Sequence, residues 1–211
     1  MKNKLILFLV FLSPLTALSQ NDDLELWGSV KFSKKVSSKF RFELQEQTRW
    51  EDSLRQYQKN FTDLGLKYKV LKGHSLGLNV RFVNEFEQEK YLRMNLDLNS
   101  EYELKNSPIT LEQRVRLQQS WDAMGEPNKT HIRGKWGLGL KTKFLNPYLS
   151  HEVYWKMAAS NELSKKRTTL GVSWSLIDKL KMKVFLRSQK EFNRKKPEQV
   201  QIIGFGVHYK L

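Results

Sequence analysis

The sequence predicts an all-β protein, specifically an antiparallel up-and-down transmembrane β-barrel of about 10 to 12 strands. Three observations lead to this reading. Apolar residues recur at every second position through run after run, the runs are about 10 to 13 residues long where a soluble strand averages about 5 to 6, and a secretory signal precedes them.

Composition narrows the field before any strand is drawn. The chain has 211 residues with 39% hydrophobic and 12% aromatic content and a mean hydropathy of −0.59, too polar for a bundle of membrane helices and too rich in large apolar side chains to stay unfolded. It has no cysteine, which excludes a disulfide scaffold, a thiolate metal site, a cysteine nucleophile and lipid attachment at an N-terminal cysteine. Thirty-seven Lys and Arg against 22 Asp and Glu give a net charge of +15, which attracts polyanions.

Residues 1–19 have the parts of an export signal: Lys2 and Lys4, an apolar run from Leu5 to Leu12, Pro14, and the small-x-small site Ala17-Leu18-Ser19. Cleavage there leaves residues 20–211 as the barrel. The segment is too short to serve as a comfortable membrane anchor. It carries two lysines and no acid, so the mature charge is still about +13. Export of a basic chain argues against a nucleic-acid partner and for acidic lipid or lipopolysaccharide.

The strands follow in order. Leu24, Leu26, Val30 and Phe32 mark the first, and Phe40, Phe42 and Leu44 the second. Leu64 to Val70 and Leu76 to Phe82 flank the turn at Lys72-Gly73. Between Leu92 and Leu104 one face is almost wholly apolar and the other reads Arg93, Asn95, Asp97, Asn99, Glu101, Glu103. The same two-faced pattern occupies Ile109 to Trp121, Ile132 to Leu140, Leu149 to Trp155, Thr168 to Leu176, Leu180 to Leu186 and Ile203 to Leu211. Short turns alternate with mostly longer polar loops, as in a transmembrane meander; the link at Glu87-Glu89 is short where a long one is due.

Period two alone does not say whether the apolar face points to a core or to lipid. By parity Trp50, Trp121, Trp136, Trp155 and Trp174 fall on the apolar face near strand ends, with Tyr68, Tyr102 and Tyr209, and Trp27 falls on the other face. Aromatic rings at both ends of an apolar band are the girdles of a lipid-facing surface. The polar face then lines a lumen, with a charge network of Arg41, Glu43, Arg81, Glu85, Arg93, Asp97, Glu101, Glu112, Arg114, Arg116 and Arg187 that largely fills it. Glu152 and Lys181 share that face. Two features conflict with the simple picture. The runs number roughly eleven where bacterial barrels have an even count, which points to 10 or 12 strands, and the first strand starts at the outer side. Glu46, Asn84, Gln113, His151 and Lys190 fall on the lipid side, which calls for a parity-flipping bulge or a position above the apolar band.

Glycines recur on the polar face in Leu64-Gly65-Leu66, Leu76-Gly77-Leu78, Gly137-Leu138-Gly139, Leu170-Gly171-Val172 and Gly204-Phe205-Gly206, where they bend strands and make room for long Arg or Glu side chains across the lumen. No dinucleotide fingerprint is present, because no helix follows Gly134 to Gly139. Catalytic groups are not apparent either. His74-Ser75 sits at a turn, Ser150 and His151 face opposite ways, and His131 and His208 have no Ser or Cys near them on their own face. No metal spacing occurs, and no cofactor is expected.

Leu26-Trp27 opening the first strand, the second-strand run Glu43-Leu44-Gln45-Glu46-Gln47-Thr48-Arg49, Glu112-Gln113-Arg114-Val115-Arg116 midway and an alternating strand to the last residue resemble the domain-of-unknown-function family twenty-four ninety. That resemblance implies a small, uncharacterised outer-membrane β-barrel of Gram-negative bacteria and supplies no catalytic residue. Val207-Tyr209-Leu211 resembles the terminal signal read by the barrel-assembly machinery, although that signal usually ends in Phe or Trp.

Together these readings predict a monomeric outer-membrane barrel with a structural or narrow-pore role and no enzymatic activity. Its alternatives are a lipid-modifying hydrolase, marked by a Ser-His pair on one face at the membrane edge, and a soluble periplasmic carrier of an apolar ligand. Lys165, Lys166 and Arg167 with Arg194, Lys195 and Lys196 are read as two outer loops forming a cationic rim for lipopolysaccharide phosphates, with Lys129 and Arg133 near a third loop.

Overall fold

A computed structural model describes residues 23–51, 55–86, 90–157 and 161–211; the expected signal and the Glu87-Glu89 link lie outside the described residues. Eleven strands and no helix occupy them: β1 (Asp23–Lys35), β2 (Phe40–Glu51), β3 (Gln56–Leu71), β4 (His74–Glu85), β5 (Tyr91–Glu103), β6 (Ile109–Trp121), β7 (Pro127–Leu140), β8 (Asn146–Lys156), β9 (Glu162–Ile177), β10 (Leu180–Glu191) and β11 (Gln199–Lys210). Each run of alternating residues becomes a strand because successive side chains of an extended backbone point to opposite faces, which gathers the apolar residues on one side and the polar ones on the other.

The strands pair in chain order, each antiparallel to the next, and the sheet closes on itself between β1 and β11. That last pairing is parallel, from Asp23 opposite Val200 to Ser33 opposite Lys210. The expectation of 10 or 12 strands is corrected here. An odd number closes without a missing or spurious strand, provided the first and last strands run the same way. β1 therefore starts at the end of the barrel that carries the loops after β2, β4, β6, β8 and β10, while β11 finishes at the end of the shorter turns. Parallel ladders are slightly weaker per residue. This one is backed from inside by a cluster of Trp27, Phe185, Val200 and Ile202 with Tyr148 packed against it.

At the β3–β4 turn Gly73 has φ +81°, and a Cβ there would stand 2.5 Å from the Glu101 carbonyl oxygen, so both the turn and the approach of β5 require glycine. Asn106, Asn161 and Asn193 take positive φ in other connections, the non-glycine residue that tolerates it best.

The distribution of side chains is that of an inside-out protein. Phe42, Leu64, Leu98, Leu117 and Leu138 on the outer face are 45 to 53% exposed, whereas Asn95, Asp97, Gln118, Ser120 and Thr169 on the inner face are 2 to 4% exposed. Trp50, Trp121 and Trp155 lie outside near the long-loop end, each beside a register shift. Trp136 and Trp174 lie outside nearer the short turns, with Tyr68, Tyr102 and Tyr209. Trp27 points inward and is 3% exposed.

No bulge flips Glu46, Asn84, Gln113, His151 or Lys190 inward, which corrects the first expected explanation; Asn84 and Lys190 are the next-to-last residues of β4 and β10, as the second expects, but Glu46, Gln113 and His151 sit well inside their strands. Instead, polar neighbours on the outer face partner some of them. Thr62 donates to Glu46 at 2.5 Å, and His151 Nδ1 lies 3.0 Å from Thr168 Oγ1. One register line runs Ser100, Gln113, Trp136, His151, Thr168, Ser188, Gln201, a diagonal of mostly polar residues on the outer surface. Local pairing of this kind lowers the cost of presenting polar atoms to an apolar medium.

Candidate functional site: the charged lumen

The inward faces of β1 through β10 supply polar side chains to one cavity of about 1360 Å³. At about eight strands side chains just fill a barrel, and with eleven strands this space remains between the inward side chains. Nineteen Lys and Arg against eleven Asp and Glu line it, so the basic surplus of the chain is concentrated inside. A second cavity of about 490 Å³ opens at the short-turn end beside Arg41, Lys67, His74 and Glu101.

Carboxylates in the middle of the barrel each hold an arginine. Asp97 receives Arg116 through Nε at 2.5 Å and Nη2 at 2.6 Å, and also takes Asn79 Nδ2 at 3.3 Å. Asp63 receives Arg81 at 2.6 Å through each of the same two nitrogens. These are the planar forks that arginine offers and lysine does not. Glu152 is a hub: Arg114 donates at 2.6 Å, Arg133 at 2.8 Å and the Tyr154 hydroxyl at 3.0 Å, with Arg167 4.0 Å away.

Lysines occupy both mouths. Lys31 and Lys67 share Glu43 at 2.8 and 3.5 Å near the short turns, and Lys135 faces Glu112 at 3.8 Å. Toward the long loops, Lys59 pairs with Glu85, and Lys165 with Glu191 at 3.0 Å.

The expected network is therefore real in outline, but its partners are mostly residues outside it. Glu43, Arg81, Glu85, Asp97, Glu112, Arg114 and Arg116 all form ion pairs, and only Asp97 with Arg116 joins two members of the expected set. Arg93 instead donates to Ser120 at 3.2 Å and to Tyr91 at 3.1 Å, and Arg187 to Thr169 at 2.8 Å. Arg41 and Glu101 stand at the short-turn mouth, where neither makes an ion pair among the described residues. Arg49, Asp63, Arg133 and Glu152 complete the arrangement, and their inward parity was the signal that identifies them.

The cationic rim is redrawn. Lys165, Lys166 and Arg167 are strand residues of β9, not loop residues. Lys165 and Arg167 point into the lumen, where Arg167 donates to Gln189 at 2.7 Å and to Tyr154; Lys166 points outward beside Phe192. Arg133 is likewise inside, 7% exposed, with Lys129 at the lumen edge. Arg194, Lys195 and Lys196 do lie exposed on the β10–β11 loop, with Arg194 held to Glu191 at 2.7 Å.

The inward glycines make room for side chains of the adjacent strands rather than for ones from across the lumen: Gly137 lies against Glu112 and Gly206 against Lys183, and two of the glycines lie under rings. Tyr148 covers Gly171 and Phe185 covers Gly204. Two Ser-His pairs that the sequence spacing hides form across strands. Ser33 on β1 lies 2.8 Å from His208 on β11 inside the barrel, and His74 lies 3.0 Å from Ser100 on β4 and β5. Among the described residues no His/Cys/Asp/Glu group could hold a metal ion.

An inverted, closed β-barrel with an ionic interior defines the class. The chain belongs to the family of proteins of unknown function DUF2490, whose model matches residues 24–201, from β1 into β11. No curated protein matches it.

Proposed function

We propose that this protein is an outer-membrane β-barrel with a structural or narrow-pore role, in which the cationic lumen favours small anions and no enzymatic chemistry takes place. The observation that carries the reading is the inversion of polarity: an apolar outer belt between two aromatic borders around a core of salt bridges. In water such a surface would aggregate, whereas in lipid it is solvated and the strands need no other partner for their backbone. Strands of 11 to 16 residues exceed the roughly 9 to 11 needed to cross a bilayer. Lipid and lipopolysaccharide are its surroundings, the barrel-assembly machinery its folding partner through β11, and the protein acts as a monomer. A polar interior weighs against a soluble carrier of apolar ligands.

The test is direct. The mature protein should fractionate with outer membranes, resist carbonate, and change gel mobility on boiling. In a planar bilayer under a salt gradient it should pass no current or a small one with an anion-selective reversal potential. Release by carbonate, or large cation-selective currents, would overturn the reading.

One observation favours the hydrolase alternative: Ser33 and His208 have the contact a nucleophile and its base require. Ser33 is only 6% exposed and faces the lumen, away from lipid acyl chains, and among the described residues no carboxylate pairs with His208. A fluorophosphonate probe should therefore leave Ser33 unlabelled; labelling that disappears in His208→Asn would establish the hydrolase instead.

A further inference from the structure

Arg81, Arg114, Arg116 and Arg133 are each neutralised by a carboxylate, whereas of the three arginines around Trp27 only Arg167 reaches one, Glu152 at 4.0 Å. Arg49 places its guanidinium carbon 3.5 Å from the centre of the Trp27 ring and 4.4 Å from that of Phe61, which sandwiches it between two apolar plates. Its Nε is sealed from solvent with no hydrogen-bond partner among the described residues. Arg187 lies 4.9 Å from the same Trp27 ring and 4.8 Å from Phe185, and Arg167 lies 5.3 Å from Trp27. Neither Arg49 nor Arg187 forms an ion pair among the described residues, and Glu25, the nearby acid, accepts the Trp27 indole N–H at 2.5 Å.

Gathering like charges in a partly dehydrated bore is costly unless an anion joins them. The aromatic plates explain how the assembly is held, since ring faces attract the flat of each guanidinium. Arg187 gives its Nε to Thr169 and Arg167 gives Nε to Gln189 and Nη1 to Tyr154, and the other N–H groups of these two and of Arg49 have no hydrogen-bond partner among the described residues. Guanidinium edges match the paired oxygens of an oxoanion better than a spherical halide. All three arginines line the main cavity, so the position is reachable from the lumen.

We infer that Arg49, Arg187 and Arg167, arrayed on Trp27, form a binding site for the phosphate group of a solute inside the barrel. The inference deepens the lumen reading above by naming the anion. Free phosphate and a lipid headgroup share this chemistry, and the two are separated by experiment.

The mature protein in detergent is titrated with inorganic phosphate in a constant chloride background, by calorimetry and by tryptophan emission. Saturable binding is expected, together with an emission change that vanishes in Trp27→Phe, since the other tryptophans lie on the outer face or at its borders. Arg49→Gln combined with Arg187→Gln should weaken binding at least tenfold, while Lys195→Gln combined with Lys196→Gln should leave it unchanged. Gel mobility before boiling reports whether each variant is folded, and if the arginine variant fails to fold, Trp27→Phe decides. A short-chain phosphatidic acid below its micelle concentration should compete with phosphate; binding of that lipid without binding of phosphate moves the site to the rim and overturns the inference. So does phosphate binding that survives the arginine substitutions, or an emission change that survives Trp27→Phe. Failure here is distinct from failure of the pore. A barrel that binds phosphate but carries no current keeps the site, and one that carries anions without saturable phosphate binding loses it.

Discussion

The ring of Phe185 on β10 occupies the space directly over Gly204 on β11, so that a methyl group built on Gly204 would overlap it. Phe185 is 7% exposed and belongs to the cluster that backs the parallel seam. Gly204→Ala must push the ring aside, and overpacking of this type costs about 1 to 3 kcal/mol. The urea midpoint for loss of the unboiled gel form should fall accordingly. Phe185→Ala should also destabilise, but the double variant should be less damaged than the two single losses added together, because the clash needs both groups. Strict additivity would refute the contact.

Removing the Glu152 carboxylate should cost more than removing any one of its arginines. It accepts from Arg114 and Arg133 and lies 4.0 Å from Arg167, so Glu152→Gln leaves several cations without their shared counter-charge. Breaking a buried pair from one side typically costs about 3 to 5 kcal/mol, and access of lumen water places this case near the lower figure. If the barrel conducts, the same change should move its reversal potential further toward anion selectivity. A neutral effect on stability would show that these arginines are solvated independently.

Which parts of this architecture were legible from the chain follows from the physics of each face. The alternation from Leu92 to Leu104 is unambiguous because nearly every outward side chain is apolar and every inward one polar along the whole strand. Asp97 and Arg116 could be placed on the inside by parity, but parity carries no register, so the 2.5 Å contact between them required the pairing of β5 with β6. Lys165, Lys166 and Arg167 look like a solvated loop because a charge run ordinarily ends a strand. Here β9 continues through them, since two of the three side chains enter a wet, carboxylate-bearing lumen. Ser33 and His208 are separated by 175 positions, and nothing local signals that the first and last strands run parallel.

The parallel seam itself can be trapped. Val30 and Val207 are register partners across β1 and β11, and neighbouring strands lie about 4.8 Å apart, within the range a disulfide spans. Because the chain contains no cysteine, Val30→Cys with Val207→Cys introduces a single possible bridge. Oxidation should yield a monomer whose heated form migrates faster than its reduced counterpart, while Val30→Cys with Ile203→Cys, out of register, should cross-link poorly. Equal cross-linking in both variants would exclude this closure.

With Arg194 held to Glu191, the redrawn rim divides its other five basic residues into two groups with different expected behaviour. Lys165 and Arg167 are engaged inside with Glu191, Gln189 and Tyr154, so neutralising them should lower stability and leave bound lipid unchanged. Lys166 on the outer face and Lys195 and Lys196 on the exposed β10–β11 loop are the residues able to meet lipopolysaccharide phosphates. Exposed contacts of this kind contribute at most about 1 kcal/mol each and fade as the screening length falls to about 8 Å at physiological salt, so they act only together. Lys166→Gln, Lys195→Gln and Lys196→Gln combined should preserve the mobility shift on boiling while reducing co-purifying lipopolysaccharide, with the larger difference at low salt. Lys165→Gln with Arg167→Gln should show the reverse pattern. If the outer triple variant retains its full lipid content while remaining folded, the loop cations serve solubility and the rim holds no lipopolysaccharide.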